Sequence, residues 1–328
     1  MRLLVAGGAG FIGSNFARIR AREHGDEVVV LDKLTYAGRP ENLRDVEHTF
    51  LHGAIEDPAA VAKAVAGVEG IVNFAAETHV DRSIAAPDAF VQTQMEGTYV
   101  MLEAAREHGV RYVQVSTDEV YGSIEQGAFT ETSPLHPSSP YSATKAGADL
   151  LVGSYVHTYG LEAAIVRGSN AYGPFQYPEK LIPLMVLNAL HGDALPVYGD
   201  GMQVRNWLFV EDFARGIGHV LDHGVPGEAY NVGGPDEAAN IDVVHRIVEL
   251  TGADESLIEH VPDRPGHDRR YALSSDKARA LGWEPQVRFA DGIERTVAWY
   301  RDNAWWWEPI RSGEYRAYYE RQYGRALG

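Results

Sequence analysis

The sequence predicts an α/β protein: a doubly wound parallel sheet with a smaller, mixed α/β portion towards the C-terminus. Three observations carry this. From Leu3 to about residue 170, short apolar runs alternate with helix-like stretches, the pattern of βα units that build a parallel sheet. The first run breaks into a glycine loop, Gly7-Gly8-Ala9-Gly10-Phe11-Ile12-Gly13. After Arg167 the rhythm ends at Asn170-Ala171-Tyr172-Gly173-Pro174, and the later elements are shorter and mixed. We expect residues 1–170 to form the first domain, with segments from about 205–235 returning to it, and 171–328 to form the second, interleaved with the first.

Leu3-Leu4-Val5-Ala6 reads as a buried strand, and Ser14 to Glu23 as a helix. Between them, Gly7, Gly10 and Gly13 permit a tight turn, let backbone N–H groups approach a pyrophosphate, and let helix and strand pack closely. The helix N-terminus adds partial positive charge for phosphates. Glu27 to Asp32 is the second strand. Asp32 ends it 19 residues after Gly13, where an acid bonds adenosine ribose hydroxyls and disfavours a 2′-phosphate. NAD is therefore expected rather than NADP; a loop cap is the structural alternative for Asp32. His48 to His52 is the third strand, Asp57 to Ala66 a crossover helix with Pro58 at its start, and Ile71 to Ala76 the fourth strand. Phe90 to Glu107 reads as one long helix whose exposed apolar face suits a partner. Tyr112 to Ser116 and Glu162 to Arg167 are the fifth and sixth strands. Leu195 to Gly201 and Glu228 to Gly234 read as further strand-and-turn units, and the tail from Trp299 as a docked helix and coil.

The chain turns on residues 113–145. A strand ends in Thr117-Asp118-Glu119, and a helix opens after Pro140 with Tyr141-Ser142-Ala143-Thr144-Lys145. Residues four apart share a helical face, so phenol and ammonium can act together. A nearby Lys⁺ favours phenolate, so Lys145 is expected to lower the Tyr141 pKa and make it a base towards an alcohol. Tyr-x-x-x-Lys alone is a weak pattern. It gains weight beside a Thr-Asp-Glu strand end and downstream of a glycine loop.

Composition bounds the rest. The 328 residues are 45% hydrophobic and 23% charged, ordinary for a globular protein. The net charge of −17 argues against a general nucleic-acid or membrane-surface binder. With no cysteine, disulfides, thiolate metal sites and a cysteine nucleophile are excluded. The thirteen histidines form no metal-ligand spacing, and no catalytic metal is expected. No apolar run approaches the length of a membrane span, and no signal-peptide layout precedes the first strand. A cytoplasmic protein is expected.

With these residues in place, the chain resembles the extended short-chain dehydrogenase/reductase family. Leu34-Thr35-Tyr36-Ala37-Gly38, Ala75 to Ser83, Ser116 to Gly122, Pro178 to Pro183 and Asp263 to Asp268 make it similar to the dTDP-glucose 4,6-dehydratases within that family, over nearly the whole chain. The Asp118-Glu119 pair distinguishes this resemblance from that to 4-epimerases, decarboxylases and GDP-mannose dehydratases. The resemblance implies a Rossmann domain, a tightly held NAD, dTDP-glucose or a close nucleotide-sugar as substrate, and a homodimer built on two long helices including residues 90–107. It implies Tyr141 and Lys145 as base and partner, Thr117 on the sugar oxygen, and Asp118 and Glu119 as acid and base of dehydration. NAD contacts would come from Gly7, Gly10, Phe11, Ile12, Gly13, Asp32, Lys33, Thr35, Ala75 and Thr93, with Tyr141 and Lys145. Nucleotide-sugar contacts would come from Thr78, Thr117, Asn170, Lys180, Leu181, Arg205, Asn240, Arg264 and His267. Departures from the family pattern are Ala6, Ala54 at the adenine edge, Gln94, Ala171 and Asn206; none removes a catalytic group. Two other readings stay open: a sister nucleotide-sugar epimerase or decarboxylase, and a non-enzymatic NAD-binding scaffold.

Overall fold

The structure is a computed structural model and describes residues 1–263, 267–312, 319–320 and 322. The chain runs β1 (Arg2–Ala6), α1 (Phe11–His24), β2 (Glu27–Asp32), β3 (His48–His52), α2 (Pro58–Ala64), β4 (Gly70–Asn73), α3 (Val80–Ala85), α4 (Asp88–Phe90), α5 (Thr98–His108), β5 (Arg111–Thr117), α6 (Pro140–Tyr159), β6 (Ala163–Gly168) and β7 (Asn170–Tyr172). It continues through α7 (Leu181–His191), β8 (Leu195–Tyr198), β9 (Val204–Phe209), α8 (Val210–His223), β10 (Ala229–Val232), β11 (Asp236–Ala239), α9 (Asn240–Thr251), β12 (Ile258–Val261), α10 (Asp276–Ala280), α11 (Phe289–Asp302) and α12 (Ala304–Arg311).

Seven strands form one parallel sheet in the order β10-β6-β5-β4-β1-β2-β3. The strand order reverses between β1 and β4, and ligands of such sheets sit beyond the carboxyl ends at that reversal. The register brings those ends level: Ala6 lies beside Leu31 and Asn73, and Thr117 beside Gly168. Continuous apolar strands are buried on both faces. Leu3, Val5, Val28 and Val30 pack with Phe16, Phe213 and Ile217 on one side. Leu4, Val29 and Ile71 pack with Val61, Met101, Leu102 and Val152 on the other. A separate core gathers α7, α9, α11 and α12 around Leu187, Val244, Tyr300 and Trp306. It sits with a three-stranded sheet, β11-β9-β7, and a β12-β8 pair. The C-terminal aromatics pack: Trp306 Nε1 donates to Asn42 Oδ1 at 2.6 Å and Trp307 Nε1 to the Tyr300 carbonyl at 2.7 Å.

Local chemistry explains the element ends. Asp57 caps α2 by accepting the Ala59 N–H at 2.9 Å, with Pro58 at the first helical position. Ser139 and Ser142 form a reciprocal capping box for α6. Two expectations are corrected. The fourth strand stops at Asn73, not Ala76, because the Asn73 side chain accepts the Ala75 N–H at 3.1 Å and turns the chain out of the sheet. The segment expected as one long helix is interrupted by a π-helical stretch, Val91–Gly97, between α4 and α5. Gly97 is pressed against Ile55, where a Cβ would sit 2.5 Å from Cδ1. The wider turns aim Thr93 and Gln94 at the loops after β2 and β4: Thr93 accepts from Lys33 Nζ at 2.9 Å, and Gln94 Nε2 donates to the Glu77 carbonyl at 2.9 Å. Such π turns often mark functional sites.

Candidate active site

The carboxyl ends of β1, β2, β4, β5 and β6 open into one long cleft. At one end lies the glycine loop. Gly7 has φ +74, and a Cβ there would sit 2.6 Å from the Ala75 nitrogen. At Gly13 a Cβ would collide with the Gly7 carbonyl oxygen. No side chain caps the N-terminus of α1, whose cap residue is Gly10, so backbone and helix end face the cleft as a phosphate cradle. Asp32 accepts the Ala9 N–H at 3.0 Å with one oxygen and the Leu34 N–H at 2.8 Å with the other. It is thus a loop cap and a cleft-lining carboxylate at once, and each oxygen keeps a lone pair for a further donor. Burial pushes its pKa up while the two backbone N–H groups oppose this. Lys33 Nζ lies 3.2 Å from Glu56 and 3.5 Å from Glu77.

The middle of the cleft holds the groups expected to carry the chemistry. Thr117, Asp118, Glu119, Tyr141 and Lys145 all line it. The first three follow from β5 ending at Thr117, where the chain tightens into a single 3-10 turn, Asp118–Tyr121. The Thr117 hydroxyl accepts the Glu119 N–H at 3.3 Å and donates to Asp118 Oδ1 at 3.2 Å. Asp118 is 2% exposed, and its second oxygen has no partner. Burial, then the charge of Glu119, raises its pKa to about 7, against Arg205 and the Thr117 hydroxyl. Its two-residue strand-end partner Glu119 is half-buried. Neighbouring carboxyls in unlike surroundings can hold opposite protonation states.

Tyr141 and Lys145 sit on the first turns of α6, as their spacing requires. The expected lowering of the Tyr141 pKa is corrected: burial first, then the negative charge of Glu119, pushes it above the ordinary phenol value, and a Thr117 hydrogen bond only partly opposes this. The Lys145 ammonium is itself buried, donates to the Val115 carbonyl at 2.8 Å and is lowered to about 8. Asp149, one turn further along α6, raises it in opposition. Asp149 in turn accepts from Arg167 Nε at 2.8 Å, and Arg167 donates to the Tyr121 oxygen at 2.8 Å. Sequence reasoning missed this buried support. The available signal was the third member of the row, four residues beyond Lys145.

The residues expected to contact NAD, Gly7, Gly10, Phe11, Ile12, Gly13, Asp32, Lys33, Thr35, Ala75 and Thr93, line the same cleft. So do Thr78, Asn170 and Lys180; Lys180 Nζ donates to the Thr78 carbonyl at 2.8 Å, and Asn170 Oδ1 is buried without a partner. Leu181, Arg205, Asn240 and His267 are not among the cleft-lining residues. Leu181 opens α7 directly after Lys180. Arg205 is 4% exposed, lies over the Tyr271 ring at 4.4 Å and donates to the Asp268 carbonyl at 2.9 Å. It is therefore no surface arginine, and its charge reaches Asp118. Asn240 begins α9 with an unpartnered buried oxygen. His267 Nδ1 lies 2.6 Å from Asp263. Arg264 lies outside the described residues.

A dinucleotide-type cradle, leading straight to an acid-base cluster at the next strand ends, defines a doubly wound nucleotide-dependent enzyme scaffold. Comparison with known proteins gives the family. The model of the GDP-mannose 4,6 dehydratase family matches residues 4–296. A dTDP-glucose 4,6-dehydratase of Streptomyces niveus is 50% identical over 323 residues, covering 95% of this chain and 96% of its own. The crystal structure of the dTDP-glucose 4,6-dehydratase DesIV from Streptomyces venezuelae, solved with NAD and a second ligand, is 52% identical, covers 94% of this chain and all of its own, and superposes with a TM-score of 0.91. The UDP-glucose 4-epimerase of Thermus thermophilus, also with NAD, superposes at 0.87 but at 32% identity, over 92% of this chain and 100% of its own. The chain therefore belongs to the GDP-mannose 4,6 dehydratase family of that model, and within it to the dTDP-glucose 4,6-dehydratases.

Proposed function

We propose that this chain converts dTDP-glucose to dTDP-4-keto-6-deoxyglucose. The observation that carries the reading is the single cleft joining the glycine cradle to Thr117, Asp118, Glu119, Tyr141 and Lys145. The C5 proton of the sugar is not acidic until C4 is a ketone, so oxidation precedes dehydration. The loop Gly7–Gly13, Asp32, Lys33, Thr35, Ala75 and Thr93 line the cleft and would hold NAD, which when bound would supply a hydride acceptor and donor.

Tyr141, in its anionic form, takes the 4-hydroxyl proton; burial and Glu119 oppose that form, and Lys145, protonated below about pH 8, favours it. Tyr141 and Thr117 then polarise the ketone oxygen. Glu119 removes the C5 proton, while Asp118, neutral up to about pH 7, protonates the departing 6-hydroxyl, which leaves as water. Hydrogen returns to C6 and the Glu119 proton to C5. The proton gained by Tyr141 balances the one spent by Asp118. Groups positioned in this way each contribute about 10²- to 10⁴-fold. Arg205 and Arg264 are assigned to the nucleotide diphosphate, as guanidinium forks suit phosphate oxygens; Thr78, Asn170, Lys180, Leu181, Asn240 and His267 complete the nucleotide-sugar side. The 4-epimerase reading is weaker at 32% identity.

We further assign a homodimer through residues 90–107 and α6, where Val91 in the π-helical stretch, Tyr99 on α5, and Leu150 and Tyr159 on α6 are each more than half exposed, and a cytoplasmic place of work. Among the described residues, no helix is long and apolar enough to cross a membrane. The test of function is direct: the purified protein is mixed with dTDP-glucose and the alkaline absorbance of a 4-keto sugar is followed. A rising signal is expected. No signal, with turnover of UDP-galactose or UDP-glucuronate instead, overturns the reading.

A further inference from the structure

Three segments far apart in the chain meet at one buried carboxylate. Tyr36 lies in the turn after β2, Arg82 on α3, and Glu179 in the loop that leads into α7. The Tyr36 hydroxyl donates to Glu179 Oε1 at 2.7 Å, and Arg82 Nε donates to Oε2 at 3.3 Å. The Arg82 guanidinium also lies over the Tyr36 ring, 3.8 Å from its centre. The Glu179 side chain is 1% exposed. Burial pushes its pKa up, and Lys180, Tyr36 and Arg82 oppose this. A carboxylate so deeply buried is tolerated only where its oxygens are occupied, and here the occupants come from two other segments.

A second observation concerns the two outer segments. Each carries a non-glycine residue at positive φ, Leu34 at +52 and Phe175 at +69. Among the described residues these are the ones outside glycine in that region. Such backbone persists when surrounding contacts over-determine it, and it clusters at ligand clamps. Leu34 is pinned by its N–H to Asp32, and Phe175 by the Trp299 ring at 4.7 Å and the Arg18 guanidinium at 4.6 Å. Both segments also touch the cleft. Thr35 precedes Tyr36 on the dinucleotide side, and Lys180 follows Glu179 on the sugar side.

We propose that Glu179 is a positioning residue that ties the dinucleotide-side turn to the sugar-side loop, so that NAD and the nucleotide-sugar strengthen each other's binding. The inference rests on the dehydratase function proposed above. A ligand that orders one segment places its half of the Glu179 cluster and so orders the other, and such coupling is reciprocal. Glu179 does not touch the reacting atoms in this scheme. Its effect falls on binding and on cofactor retention.

The test uses the full-length holoenzyme and the probe dTDP. Turnover of dTDP-glucose by the unmodified protein is measured first, so that failure of the functional reading is seen separately. NAD release is then timed with and without saturating dTDP in the unmodified protein, Tyr36→Phe and Glu179→Gln. We expect dTDP to slow release by about fivefold or more in the unmodified protein, the lower range of allosteric coupling, and to have almost no effect in either variant. KM for dTDP-glucose should rise about tenfold while kcat stays within about twofold, the signature of lost binding rather than lost chemistry. Equal slowing by dTDP in all three proteins, or no slowing in the unmodified one, overturns the proposal. A fall in kcat with unchanged KM and unchanged coupling also overturns it. If Glu179→Gln does not fold, Tyr36→Phe, which removes one hydroxyl and leaves the Arg82–Glu179 pair, decides the question alone.

Discussion

Replacing Asp118 by Asn separates its role in the reaction from its cost to the fold. The side chain is 2% exposed, and burial and Glu119 raise its pKa from 3.8 to about 7. In the unfolded chain the carboxyl ionises near its ordinary value, so between these pH values the fold holds a proton the unfolded chain has lost. Stability from this group is fully present below about pH 4, declines as pH rises towards 7, and is gone above it. A rise of about three on the pH scale, at about 1.4 kcal/mol each, sets the cost near 4 kcal/mol at pH 8. Asn fills the same space without charge, and Arg205 keeps its two backbone acceptors at 2.9 Å each. Asp118→Asn is therefore more stable than the unmodified protein at pH 8, by up to about 4 kcal/mol, and the advantage shrinks as pH falls towards 4. Urea unfolding of both proteins at fixed NAD concentration across this range measures it. The same variant should lose dehydration by about 10²- to 10⁴-fold. A variant less stable at pH 8, or an advantage that does not change with pH, refutes the assignment of a buried, proton-holding Asp118.

Other consequences follow from the same geometry. Glu119→Gln should complete oxidation but stall before water loss, seen as a standing absorbance of reduced nicotinamide; normal dehydration rates remove Glu119 as the base. The rate of dehydration should fall as pH rises through about 7 to 8, because Asp118 loses its proton near 7 and Lys145 near 8; a profile that climbs through this window contradicts both roles. Gly7→Ala places a Cβ 2.6 Å from the Ala75 nitrogen at φ +74, so NAD retention on gel filtration should drop sharply, and full retention means the loop does not approach the cofactor. Leu150→Glu puts a charge on a side chain that is 67% exposed on α6; light scattering should show a monomer, and an unchanged dimer moves the interface elsewhere.

Local signals carried the parts of this molecule that local physics determines. β2 and β3 were legible to the residue: β2 is an apolar run closed by Asp32, and β3 a short β-prone stretch bounded by His48 and His52. The glycine loop and the Thr117–Glu119 strand end were legible because a tight turn and a polar strand end each fit in a few consecutive residues. What depended on distant partners was not. The π-helical stretch arises where Gly97 meets Ile55 and Gln94 reaches Glu77, and nothing within residues 90–107 announces those neighbours. The Tyr141 pKa was misjudged because helical spacing shows Lys145 but not the burial or the charge of Glu119. The Tyr36–Arg82–Glu179 cluster joins residues up to 143 apart in sequence, and no spacing rule links them. Arg205 is expected as a nucleotide-sugar contact, and its burial over the Tyr271 ring depends on a segment far along the chain that no spacing rule shows.

The account stands on hydrogen leaving C4 and returning to C6 of the same sugar within one cleft. The most direct measurement uses dTDP-glucose carrying deuterium at C4, with the product read by mass spectrometry and proton NMR. The account predicts that the deuterium arrives at C6. Loss of the label to solvent, or its recovery at C4 of an epimerised sugar, would contradict it.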